Sequence, residues 1–78
     1  MYSKLSNRFQ VIRCNEQFAE FKSQYHYWRI VSYGQDQFFL HHKHNQEDIY
    51  HRQLHYPVSI NKIIKIIQNH DAYVTSTI

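Results

Sequence analysis

The sequence predicts an α+β fold in which one antiparallel sheet is covered on one side by helices, and three observations carry that prediction. Two runs rich in aromatic and β-branched residues, Tyr25 to Tyr33 and Gln37 to His44, flank Gly34-Gln35, a pair suited to a tight hairpin turn. Further on, Ile60, Ile63, Ile64 and Ile67 recur at i, i+3, i+4 and i+7, the apolar stripe of an amphipathic helix. The chain has 78 residues, 42% of them hydrophobic and 17% aromatic, enough for one core. A chain of this length has nothing left for a second, so residues 1–78 are read as one small α+β domain.

Taken in order, Arg8 to Cys14 reads as a first strand, with Phe9 and Val11 on one face and Ile12 on the other, covered on both sides. Asn15 is suited to capping a helix, Glu16 and Glu20 complement its dipole, and Phe18, Ala19 and Phe21 give it an apolar stripe. A short helix is therefore expected next. In the hairpin, glycine at the first loop position suits a type II′ turn. His26, Trp28, Ile30 and Ser32 share one face of its first strand, while Tyr25, Tyr27, Arg29, Val31 and Tyr33 share the other. On its second strand Phe38, Leu40, His42 and His44 oppose Gln37, Phe39, His41 and Lys43.

Residues 45–56 fit neither period, so an irregular loop and a short extra strand are both open. Ser59 then caps the isoleucine helix, which is expected to stop at Asn69-His70, and 72–77 is β-prone. The elements run β-α-β-β-α-β, the order of a ferredoxin-like sandwich with two helices on one face of a single sheet. A strand from 45–56 would give another α+β arrangement.

Composition narrows the chemistry. Nine Lys and Arg against six Asp and Glu give a net charge of +3 with the seven histidines counted neutral. Exposed imidazoles near pKa 6.5 add about one to two charges at pH 7 and about five at pH 6. This balance favours acidic partners, whether phosphate or protein. One cysteine, Cys14, excludes an internal disulfide and any cysteine-rich zinc module; a buried or inert thiol in a reducing compartment is the expectation. The first ten residues lack an apolar core of the signal-peptide kind and no long apolar run follows, so a cytoplasmic protein without membrane contact is expected. A single glycine cannot build a phosphate-cradling loop.

The histidines invite two readings. His42-x-His44 on a strand and His51-x-x-x-His55 on a helix each place two imidazoles on one face, and Glu47 or Asp48 could complete a metal set. Without cysteine pairs no physiological metal or other cofactor is expected, only adventitious nickel or zinc binding through His41, His42 and His44. Catalysis is the other reading, since His41, His42, Lys43 and His44 offer a general acid/base beside a cation. The stretch QFFLHHKH is similar to the histidine-bearing region of small HicA-type toxin ribonucleases, which implies metal-independent RNA cleavage. The serine of that pattern is absent here and the order of elements differs, so the ribonuclease remains an alternative.

If Trp28, Ile30, Phe38 and Leu40 face the helices, Tyr25, Tyr27, Arg29, Tyr33, Phe39, His41 and Lys43 form an open surface of aromatics and cations, suited to a macromolecular partner. If 45–56 or a second copy covers that face, the same aromatics are core. GQDQFFLHHKH lacks the glycine that RNA-recognition modules place between basic and aromatic residues. A two-layer domain also has little volume for a water-excluding cleft, so no enzymatic activity is expected. The expected function is that of a small regulator or inhibitor binding another protein, for example in a nucleic-acid-processing complex. Phages and mobile elements encode such chains, anti-CRISPR inhibitors of nuclease defence among them. Direct DNA or RNA binding is the first alternative, and homodimerisation is compatible with either.

Overall fold

A computed structural model describes residues 3–77. Its order is α1 (Ser3–Ser6), β1 (Gln10–Cys14), β2 (Phe18–Lys22), β3 (Tyr27–Gly34), β4 (Gln37–Lys43), β5 (His51–Arg52) and α2 (Ile60–Thr77). The strands form one antiparallel sheet in chain order, β1-β2-β3-β4-β5. The α+β class holds, as antiparallel sheet plus C-terminal helix. This meander differs from the β-α-β-β-α-β order: α1 and β5 are additional elements, and two further segments change type.

The first is 18–22, expected as helix and found as β2. Its side chains go to two faces: Ala19 and Phe21 enter the core, Glu20 between them is buried on the opposite face, and Phe18 and Lys22 stay half-exposed. Asn15 does cap backbone N–H groups, its Oδ1 accepting from Gln17 N at 2.7 Å and Phe18 N at 3.0 Å. The same chemistry serves a turn as well as a helix start, and Asn15 N donates to Phe18 O across that turn. The second segment is 72–77, expected as strand and found as the end of α2. Tertiary bonds fix it there: Asp71 accepts from Ser23 Oγ at 3.0 Å, and Thr75 Oγ1 lies 2.9 Å from Tyr25 Oη.

The core lies between the sheet and α2. Ala19, Phe21, Trp28, Ile30, Phe38 and Leu40 from the sheet meet Ile63, Ile64 and Ile67 from the helix. Leu5, on the four-residue α1, is fully buried among them, a contribution with no periodic signal in the sequence. Lys4 Nζ donates to Asn61 Oδ1 at 2.9 Å and ties α1 to α2. β1 is an edge strand with a register shift between Val11 and Arg13, so it is not covered on both sides: Ile12 is 49% exposed and Cys14 is exposed too, not buried.

In the hairpin the left-handed residue is Asp36, with φ of 50°, and not Gly34; Gln35-Asp36 form the loop. Aspartate tolerates this conformation, and here Asp36 Oδ1 also accepts from Ile60 N at 3.2 Å at the start of α2. Ser59 caps the same helix by accepting from Lys62 N at 3.2 Å. Residues 45–56 supply the two-residue β5, and Val58 then pairs with Phe38. No helix among the described residues is long and apolar enough to cross a membrane.

Candidate functional site

The face of the sheet away from α2 is ordered by its register. Residues directly opposite in an antiparallel sheet share a face, so successive pairings build rows across the strands. One row runs Arg13, Glu20, Arg29, His41, Arg52 and crosses all five strands. On one side lies the row Lys22, Tyr27, Lys43, and on the other Phe18, Val31, Phe39. Five of these side chains, Arg13, Lys22, Arg29, Lys43 and Arg52, are cationic, against the single carboxylate of Glu20.

The cations lie close to aromatic rings. Lys43 Nζ sits 5.6 Å from the Tyr27 centroid and 4.5 Å from that of Tyr50; the Arg29 guanidinium is 4.7 Å from Tyr50, and that of Arg52 is 4.9 Å from Phe39. Such contacts order long side chains and keep them flat on the sheet. Tyr50 comes from the stretch that fitted neither period. Its hydroxyl donates to Glu20 Oε2 at 3.2 Å, while Arg13 pairs with Oε1 of the same carboxylate. Burial, then the neighbouring Glu20 carboxylate, pushes the Tyr50 hydroxyl well above the ordinary tyrosine range, so it stays a protonated donor.

Residues 45–56 thus cover Glu20 and part of Arg29, and leave the remainder accessible. Of the residues predicted for this surface, Tyr27, Arg29, Phe39, His41 and Lys43 are half-buried and Tyr33 is exposed. Tyr25 departs from the prediction. It precedes β3, and its hydroxyl pairs with Thr75 of α2, so it belongs to the helix side. Arg52 and Tyr50 join the surface, and only the strand register could reveal them. Arg29 Nε and His41 Nδ1 are buried without a hydrogen-bond partner, and burial followed by the Arg29 and Arg52 charges lowers the pKa of His41.

The run His41 to His44 is divided between faces. His41 points to the cationic row, whereas His42 stands opposite Trp28 and His51 on the helix side. There His42 and His44 meet His26 and His70. His26 stacks on His44 with centroids 4.3 Å apart, His42 Nε2 lies 3.1 Å from His26 Nδ1, and His70 packs edge-on to Trp28 at 5.2 Å. Burial, then the neighbouring His26, pushes His42 down to about 4, and burial lowers His26 too. Both imidazoles are neutral near pH 7. The expected helical pair His51 and His55 does not form, because His51 belongs to β5. Splitting His41 from His42 and His44 likewise dissolves the three-histidine catalytic set read from the sequence.

No protein-family model, curated protein or solved structure matches this chain. Its residues and their geometry carry the functional argument.

Proposed function

We propose that the protein is a small non-enzymatic interaction module that binds the acidic surface of another protein through its outer sheet face. The observation that carries this reading is the cross-strand row of Arg29, His41 and Arg52, flanked by Tyr27, Lys43, Phe39 and Tyr33. A rigid sheet holding cations and aromatics together provides the residue types of interface hot spots at low ordering cost. The rings of Tyr27, Tyr50 and Phe39 already have cations near them, which leaves less open ring surface for stacking bases and favours a protein over single-stranded nucleic acid.

The role of such a module is regulatory or inhibitory. Its positive face suits an acidic patch and is repelled by the basic channels in which nucleic-acid-processing complexes hold their substrates. An inhibitor of this kind would block a conformational change and leave the channel open. A pull-down with the untagged protein, analysed for protein and for nucleic acid, tests the reading. A co-purifying protein lost with Arg29→Glu and Arg52→Glu supports it. Binding to bulk DNA or RNA that falls steeply with salt replaces it with direct phosphate binding. RNA cleavage in EDTA that disappears in His41→Ala replaces it with a ribonuclease.

A further inference from the structure

We propose that His26, His42 and His44 bind one divalent transition-metal ion, of the zinc class, at the end of the sheet beneath the last turns of α2. The site is separate from the outer face and does not depend on the function proposed for it.

The three residues come from the loop before β3, the end of β4 and the residue that follows it, and each offers a ring nitrogen. These nitrogens lie within 4.8 Å of one another. Tetrahedral zinc with Zn–N bonds of about 2.0–2.1 Å places neighbouring donors about 3.4 Å apart. His26 Nδ1 and His42 Nε2, 3.1 Å apart, are close to that spacing already. His44 is exposed and already stacks on His26, so only a small turn of its ring closes the set. The two half-buried rings are held from behind: Trp28 and His70 pack on His42 at 4.3 and 4.8 Å, and His70 packs on His26 at 4.9 Å.

Donor chemistry selects the ion. Three imidazoles without an oxygen ligand suit zinc, nickel or copper and exclude magnesium and calcium, which require oxygen. Both His42 and His44 line a depression of about 150 Å³ shared with Lys43, Asp48 and His51, which leaves a fourth coordination position for water, Asp48 or His51. Asp48 is the nearer to a structural role, because its Oδ2 accepts from Asn45 N at 3.1 Å and closes the loop after β4. His70, with a buried Nδ1 lacking a hydrogen-bond partner, is a positioning residue behind the set.

The sequence points to His42-x-His44 and cannot supply the third member. His26 lies sixteen positions before His42 and is brought in by the antiparallel pairing of β3 with β4. His41, which the sequence places in the same group, is on the other face and takes no part.

Tag-free protein stripped with chelator should bind one zinc ion per chain in calorimetry, and its thermal midpoint should rise on adding zinc and fall back with EDTA. Cobalt should give the visible absorption of a four-coordinate site. His44→Ala, an exposed change, should weaken binding by about tenfold or more. His41→Ala and His55→Ala should bind as the parent does. Equal binding by His44→Ala and the parent, no change of midpoint with zinc, or loss of binding in His41→Ala instead would overturn the assignment and leave the cluster as aromatic packing alone.

Discussion

Trp28 is the largest fully buried side chain, and its indole N–H needs a partner inside the core. Ser23 provides it, accepting from Trp28 Nε1 at 2.9 Å and donating to Asp71 Oδ1 at 3.0 Å. The relay joins strand, loop and helix through one buried hydroxyl. Ser23→Ala should therefore cost about 1–3 kcal/mol, since it strands the indole donor; urea denaturation measures it. The histidines set a second expectation at this scale. Because His42 and His26 have lowered pKa values in the folded protein, the unfolded chain binds more protons as pH falls below about 6.5. Stability is full above that pH and declines toward pH 4, where folded His42 also becomes protonated. Thermal midpoints in metal-free buffer should show this acid limb, and His42→Phe should flatten it.

Secondary elements here obey contacts more than propensity. The run AYVTST is β-prone by composition, yet α2 continues through it because Asp71 and Thr75 bond to the loop before β3. Ala72→Pro, harmless in an exposed tail, should destabilise the protein by about 3 kcal/mol and lower its helical circular dichroism. The first turns of the same helix follow the pattern: Ser59 caps it, and the buried side of Ile63, Ile64 and Ile67 meets the sheet. Ile64 is 7% exposed, so Ile64→Asp places an unpaired carboxylate against the sheet and should unfold the domain. Cooperative melting of that variant near the parent midpoint would show that the stripe faces elsewhere.

Across the whole molecule, a single sheet separates two environments. The side under α2 is apolar for most of its area and ends in histidines; the other carries the cationic row. Neighbouring residues of one strand should therefore respond in opposite ways. Trp28→Ala should cost about 3–5 kcal/mol, as a large cavity opens in the core. Tyr27→Ala, one position earlier and half-buried on the other face, should keep a near-parent melting midpoint and lose partner binding. A large loss of stability in Tyr27→Ala would mean that the outer face is core and not contact surface.

Residue order alone determined the α+β class, the hairpin pairing β3 with β4, the division of each hairpin strand into two faces, and the isoleucine stripe, because periods of 2 and 3.6 are local properties of a chain that must hide its apolar groups; that the face of Trp28, Ile30, Phe38 and Leu40 is the buried one was left to the tertiary structure. The tertiary structure decided what those periods leave ambiguous. Phe18, Ala19 and Phe21 satisfy either period over five residues, and the backbone partners that β1 and β3 offer on either side make that segment a strand. Leu5, Tyr50 and Arg52 carry no periodic signal, and His26 reaches His42 only once the strands are in register. Such encounters join residues far apart in the chain, and the pairing that creates them is a property of the assembled sheet.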